Sequence, residues 1–184
     1  SISVSLDGDE ALHNRLRGEG TYVKTVAGIE SALAADIQVI VFTIARKPLL
    51  ASLPVYVDNL FNDLSGIEYL TLIQLFSLTA DSFALSDDFL SPDDFLIFVK
   101  TVALLNLNGF CIIVKNNPLA GIVAKLLKMP WVPLTFPLYQ AGNLIVKADG
   151  RISLSHSCQE SFGLYESGMI SSVLSSATYQ SAVA

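Results

Sequence analysis

Cysteine is scarce in this chain, with two among 184 residues, Cys111 and Cys158. Two thiols so far apart do not make the framework of a disulfide-stapled secreted domain, so a reducing, cytoplasmic setting is expected. Basic residues are outnumbered, 11 Lys and Arg against 17 Asp and Glu, which leaves a net charge of −6 and a pI near 4.7. A nucleic-acid surface needs clustered cations, and that class of function is excluded. Also missing is an uninterrupted apolar run of the ~20 residues a membrane-spanning helix requires. Residues 101–114 are broken by Asn106, Asn108 and Gly109, and residues 129–146 by Pro130, Pro133 and Pro137. No signal-peptide pattern is visible, and no internal repeat. Charged residues make up only 15% against 52% hydrophobic, with a mean hydropathy of +0.53. A chain of 19.8 kDa can build one domain with a real core and a small appendage. This composition is rich for such a domain, and further sheet partners upstream are expected to bury the excess.

What is present is organised around the first eight residues. Ile2, Val4 and Leu6 alternate with serines, the pattern of a strand with one face in a core. Asp7-Gly8 ends it in a tight turn, because Gly reaches backbone angles other residues avoid. A polar loop is expected next, then a helix from about Tyr22 in which Val26, Ile29 and Leu33 recur at helical spacing. Residues 37–44 are a near-continuous β-branched run, suited to a strand buried on both faces of a parallel sheet. A loop at Arg46-Lys47-Pro48, a helix over 50–64 with Pro54 near its start, and a strand over 67–78 follow. Strand–helix–strand–helix–strand with short connections predicts a parallel α/β unit with right-handed crossovers.

After a polar loop over 79–90, Ser91-Pro92-Asp93-Asp94 marks a helix start. Ser serves as N-cap, Pro fills the first helical position, and the acids face the positive end of the dipole. That helix is expected to run to about Leu107, stopped by Asn108-Gly109, with a fourth strand over 110–115 and a helix over 119–129. Beyond a break at residues 129–133, segments 143–147 and 151–154 read as a β-hairpin around Asp149-Gly150. A final helix over 169–176 precedes a small-residue tail expected to fray.

Residues 1–33, SISVSLDGDEALHNRLRGEGTYVKTVAGIESAL, contain in order a Ser-Leu-Asp-Gly strand end, a His, an Arg-Gly pair and a helix carrying Val26, Gly28, Ile29 and Leu33. This resembles the fourth strand and following helix of radical S-adenosylmethionine (SAM, AdoMet) enzymes, in the branch of peptide and protein maturases with a SPASM or twitch extension. Residues 141–180, AGNLIVKADGRISLSHSCQESFGLYESGMISSVLSSATYQ, are similar to the start of those extensions. There a hairpin of the type DG-x-[IV]-x-x-C supplies the first Cys of an auxiliary iron–sulfur cluster. Cys158 stands three residues beyond the Cys position of that pattern, which is Ser155 here, and Gly163 and Glu166 follow it as the resemblance implies. The Cys-x3-Cys-x2-Cys loop that holds the family's [4Fe-4S] cluster, and the Gly-Gly-Glu-Pro strand end, are both absent here, as are the extension's further cysteines. The resemblance therefore implies the C-terminal part of a longer protein, whose partner is the missing N-terminal half of the barrel.

The same resemblance nominates site residues. Ser5 and Asp7 sit where the fourth strand meets AdoMet, and a hydroxyl and a carboxylate there can hold its ammonium or ribose hydroxyls; a plain turn with a small core Ser suits them equally. Arg17 either holds the AdoMet carboxylate or caps the next helix and pairs with Glu19. Thr43 and Gln74, near the ends of the second and third strands, are expected to face the barrel mouth, their partners being ligand, water or backbone. His13, in a polar loop, is read as solvated or bonded to backbone. Cys111, between Phe110 and Ile112, is read as core packing. Cys158, near His156, is the metal-ligand candidate, although a [4Fe-4S] site takes about four thiolates. Helix capping accounts for Asp87, Asp88, Asp93 and Asp94.

The expected fold is α/β. It comprises a partial parallel (β/α) TIM-like barrel, strands four onward, over residues 1–130, and a truncated SPASM- or twitch-like β-hairpin and helix extension over 131–184. The implied function is reductive cleavage of AdoMet to start radical modification of a peptide or small-molecule substrate. The implied cofactors are AdoMet, a [4Fe-4S] cluster and an auxiliary Fe-S cluster, and no membrane or nucleic-acid partner is expected. Without the cluster ligands, these residues alone are not expected to catalyse that chemistry. The alternative is a non-catalytic α/β half-barrel module that binds a peptide or protein through an exposed sheet edge.

Overall fold

The computed structural model describes residues 1–75, 87–115, 117–129, 132, 144–154 and 161–183. The chain divides into two compact units, Ser1–Thr135 and Phe136–Ala184.

Four parallel strands carry the first unit: β1 (Ile2–Ser5), β2 (Val39–Ala45), β3 (Ile67–Gln74) and β4 (Ile112–Lys115), paired in chain order. Between β1 and β2 run α1 (Glu10–Arg17) and α2 (Thr21–Ala34); between β2 and β3, α3 (Lys47–Leu50) and α4 (Leu53–Asp63). Helix α5 (Pro92–Leu107) lies between β3 and β4, and α6 (Pro118–Leu126) follows β4. Strands that neighbour each other in sequence order, joined by crossovers of one hand, put their helices on one side and begin to close a barrel.

The two faces of the sheet are unlike. Val41, Leu70 and Ile112 align across three strands, as do Thr43, Leu72 and Val114. These side chains are inaccessible and pack with Ile29, Val57, Phe98, Val99 and Val102 of the helices. Each aliphatic side chain so buried contributes about 2 kcal/mol, so this side holds the unit together. The opposite face aligns Ser5, Phe42, Thr71 and Ile113, then Ile44, Ile73 and Lys115. Most of these are half-buried. This is the inner face of the partial barrel.

Local signals explain the helices, including two the sequence pattern did not reveal. Residues 10–17, expected as loop, form α1, because the Asp9 carboxylate accepts the Leu12 N–H at 2.8 Å and caps it. A loop was expected over 46–48 and a helix from 50; residues 47–50 instead make the single turn α3 with Pro48 in its first turn, and α4 starts at Leu53. Helix α5 begins where expected, with a reciprocal capping box between Ser91 and Asp94.

The second unit has an antiparallel hairpin, β5 (Ile145–Val146) and β6 (Ile152–Ser153), and two helices, α7 (Met169–Ser175) and α8 (Ala177–Val183). Its core is Ile152, Leu154, Val173 and Tyr179. The tail expected to fray is helical instead, because Tyr179, 2% exposed, packs edge-on against Phe162. Among the described residues no helix is long and apolar enough to cross a membrane.

Candidate functional site

The C-terminal end of β1 is bolted to β2 and α4. The Leu6 carbonyl is approached by the Thr43 hydroxyl at 2.6 Å and the Tyr56 hydroxyl at 2.8 Å, and the two hydroxyls lie 2.8 Å apart. Burial raises the Tyr56 phenol well above its ordinary range, so it stays a protonated donor. Asp7 is 3% exposed and both its oxygens are engaged. Oδ1 accepts the Ile44 N–H at 2.8 Å and Oδ2 accepts the Arg17 Nε–H at 2.6 Å. Gly8 follows at φ +81°, and a Cβ there would meet Leu12 Cδ2 at 2.7 Å. The angle favours glycine, and a Cβ would also push the Leu12 side chain aside.

His13 locks this loop from beneath. Its Nδ1 accepts the Asp7 backbone N–H at 3.1 Å, which leaves the neutral ring protonated on Nε2. Burial lowers its pKa, the Asp7 charge opposes that shift, and the Arg17 charge adds to it. His13 is 0% exposed, its ring standing edge-on to Tyr22 at 5.9 Å, and its Nε2–H has no hydrogen-bond partner among the described residues. Of the two readings of His13, bonding to backbone is the one found, while its place is a buried position on α1 rather than a polar loop.

The remaining sequence candidates separate by which face they occupy. Ser5 lies half-buried on the inner face opposite Phe42, with no hydroxyl partner among the described residues. Arg17 has a side chain 40% exposed, and its pairing is with Asp7 rather than Glu19. Thr43 and Gln74 were expected to face the barrel mouth; strand alternation puts both on the helix side. Thr43 is spent on Leu6 and Tyr56, and Gln74 Oε1 accepts the Asn117 side-chain N–H, which joins β3 to the start of α6. Asp88 pairs with Arg46 at 2.7 Å, an ion pair beyond the capping expected of it. Cys111 is exposed rather than in the core, since β4 starts at Ile112 and its helix-side residues are Ile112 and Val114. Cys158 and His156 lie outside the described residues.

One inner-face residue escaped the sequence reading. Lys115 ends β4, and its ammonium sits 5.3 Å from the Phe42 ring centre and 5.9 Å from that of Tyr69. The alternation Ile113, Lys115 at a strand end was the available signal.

With a four-strand sheet in barrel order and a rigid loop at its C-terminal edge, the solved structures that match can be read directly. The chain has the fold of about half of anSMEcpe, a radical SAM enzyme of the SPASM branch. Against native anSMEcpe with bound AdoMet the TM-score is 0.70 at 14% identity, covering 99% of this chain and 52% of that one. Against anSMEcpe with AdoMet and the Kp18Cys peptide, and with AdoMet and the Cp18Cys peptide, the TM-score is 0.68 at the same identity and coverage. The chain thus spans about half the length of these structures. No protein-family model matches the chain, and no curated protein matches its sequence. The likeness is one of fold: a partial TIM-like barrel, as the sequence implied.

A [4Fe-4S] cluster takes about four thiolates. This chain has two cysteines, and among the described residues no three His, Cys, Asp or Glu lie together. The residues present do not fit a cluster.

Proposed function

We propose that this chain is the C-terminal half of a radical SAM enzyme acting on a peptide or small-molecule substrate, with AdoMet seated at the C-terminal edge of the sheet. The observation that supports it most is the likeness, over 99% of the chain, to structures that hold AdoMet. The residues at that edge suit such a ligand. The Ser5 hydroxyl and the terminal amines of Arg17 have no partner among the described residues. A guanidinium and a hydroxyl are the donors that a carboxylate and a ribose accept. In this reading Ser5 and Arg17 touch AdoMet, while Asp7 and Thr43 are positioning residues. Asp7 aims Arg17 by its Nε, leaving the other guanidinium nitrogens for the ligand. Thr43 and Tyr56 hold the Leu6 carbonyl, so the loop wall is set before anything binds. The chemistry AdoMet supplies when bound is hydrogen abstraction from the substrate by a radical; the chain's part is to orient the ligand and exclude water.

The test is the native gene's polypeptide, purified without oxygen. About four iron atoms or more per chain, AdoMet binding, and its reductive cleavage are expected. Arg17→Met should weaken AdoMet binding about tenfold, the loss of one charge-assisted contact. An iron-free native polypeptide that does not bind AdoMet would overturn the proposal. That outcome favours the second reading, a non-catalytic half-barrel module. Its supporting observation is that β1 pairs only with β2 among the described residues, leaving its other edge to accept a strand.

A further inference from the structure

We infer that Lys115 and Thr71, on the inner face of the sheet, form a carboxylate-binding position for a peptide. The position itself stands on the fold and side-chain geometry; that its ligand is a peptide rests on the function proposed above.

The basic side chains around the strand ends are otherwise neutralised. Arg17 pairs with Asp7, Arg46 with Asp88 and Lys47 with Asp94. Lys115 has no carboxylate within 4.0 Å among the described residues, and its ammonium rests against two aromatic rings instead. Ring faces attract a cation but leave its three N–H donors without oxygen acceptors. A second group on the same face is also unsatisfied. Thr71 is 0% exposed, and its Oγ1 has no hydrogen-bond partner among the described residues. Buried hydroxyls are nearly always bonded, so an orphan of this kind calls for an explanation.

Register brings the two together. Lys115 stands opposite Ile73 of β3, and Thr71 lies two residues before Ile73 on the same face, opposite Phe42. The Lys115 ammonium lies against the ring of Phe42, the residue opposite Thr71. A cation and a hydroxyl are therefore neighbours on this face, beside Phe42, Tyr69 and Ile113. An apolar wall strengthens an ion pair by keeping water away. A carboxylate accepts from both donors at once, drawing the ammonium off the rings and uncovering the Thr71 hydroxyl. Ser5 lies opposite Phe42 on the next strand, so a peptide held here runs beside the proposed AdoMet edge.

The test uses the native polypeptide and three blocked pentapeptides, titrated by calorimetry: Ac-AAEAA-amide, its Gln counterpart, and Ac-AAAAA with a free C-terminus. A carboxylate peptide is expected to bind about tenfold more tightly than the Gln peptide, the size of one charge-assisted pair. Whether the Glu peptide or the free-acid peptide carries the gain separates a side-chain from a terminal carboxylate. Lys115→Met and Lys115→Gln should both abolish the preference. Lys115→Arg should retain it, and Thr71→Val should reduce it about threefold. Equal binding of all three peptides, no binding of any, or a preference that survives in Lys115→Met overturns the inference. AdoMet titrated in parallel separates the two proposals. Binding of AdoMet without a carboxylate preference sinks this inference alone, whereas the preference without AdoMet binding sinks the proposed function and leaves this position standing.

Discussion

Replacing Asp7 tests whether the β1 end is held as the geometry indicates. In Asp7→Ala the Ile44 N–H loses its acceptor at the end of a buried strand, and Arg17 loses its pair. A backbone donor left unsatisfied costs about 1–3 kcal/mol. The ion pair adds only about 0.5–1 kcal/mol, because the Arg17 side chain is 40% exposed and solvent screens it. Asp7→Ala should therefore destabilise the first unit by about 2–4 kcal/mol. Asp7→Asn keeps an oxygen for Ile44 but offers Arg17 an amide, and about 1 kcal/mol is expected. Urea unfolding of the chain measures the totals, and hydrogen exchange at the Ile44 amide reads the contact itself. That amide should exchange much faster in Asp7→Ala and nearly as slowly as wild type in Asp7→Asn. If the two variants cost the same, or Ile44 stays protected in both, the carboxylate is not the clamp described.

Three further outcomes follow from neighbouring residues. Gly8→Ala should cost about 1–2 kcal/mol from positive φ alone, plus the displacement of Leu12, measured by thermal unfolding. His13 has a folded-state pKa below its ordinary 6.5, so the unfolded chain binds the proton more readily. Stability is then full above about pH 6.5 and falls as pH drops below it; His13→Gln should flatten that fall in urea midpoints, and an identical slope in the variant would remove His13 as its source. Tyr56→Phe and Thr43→Val should each cost about 1 kcal/mol. Because both hydroxyls serve the Leu6 carbonyl, the double variant should fall short of the sum by about 0.5–1 kcal/mol, and strict additivity would show that the two act separately.

Local chemistry was enough to determine much of the framework. Ser91-Pro92-Asp93-Asp94 carries its own capping box, the run from Val39 to Ala45 is β-branched enough to be a buried strand, and the order of elements implies parallel pairing. The Ser-Leu-Asp-Gly strand end marked the place where the candidate site is built. Tertiary structure decided which way side chains point and what they touch. Helix α1 has only Leu12 and Leu16 at helical spacing to announce it, and its buried His13 takes its role from the Asp7 backbone N–H. Thr43 and Gln74 look like mouth residues along the chain, yet alternation turns them to the helix side, while the same alternation turns Lys115 to the inner face. Cys111 sits one residue before its strand and so misses the core. The physical reason is the period of two: a single residue of register reverses the face, and register is set by pairing with strands distant in the chain.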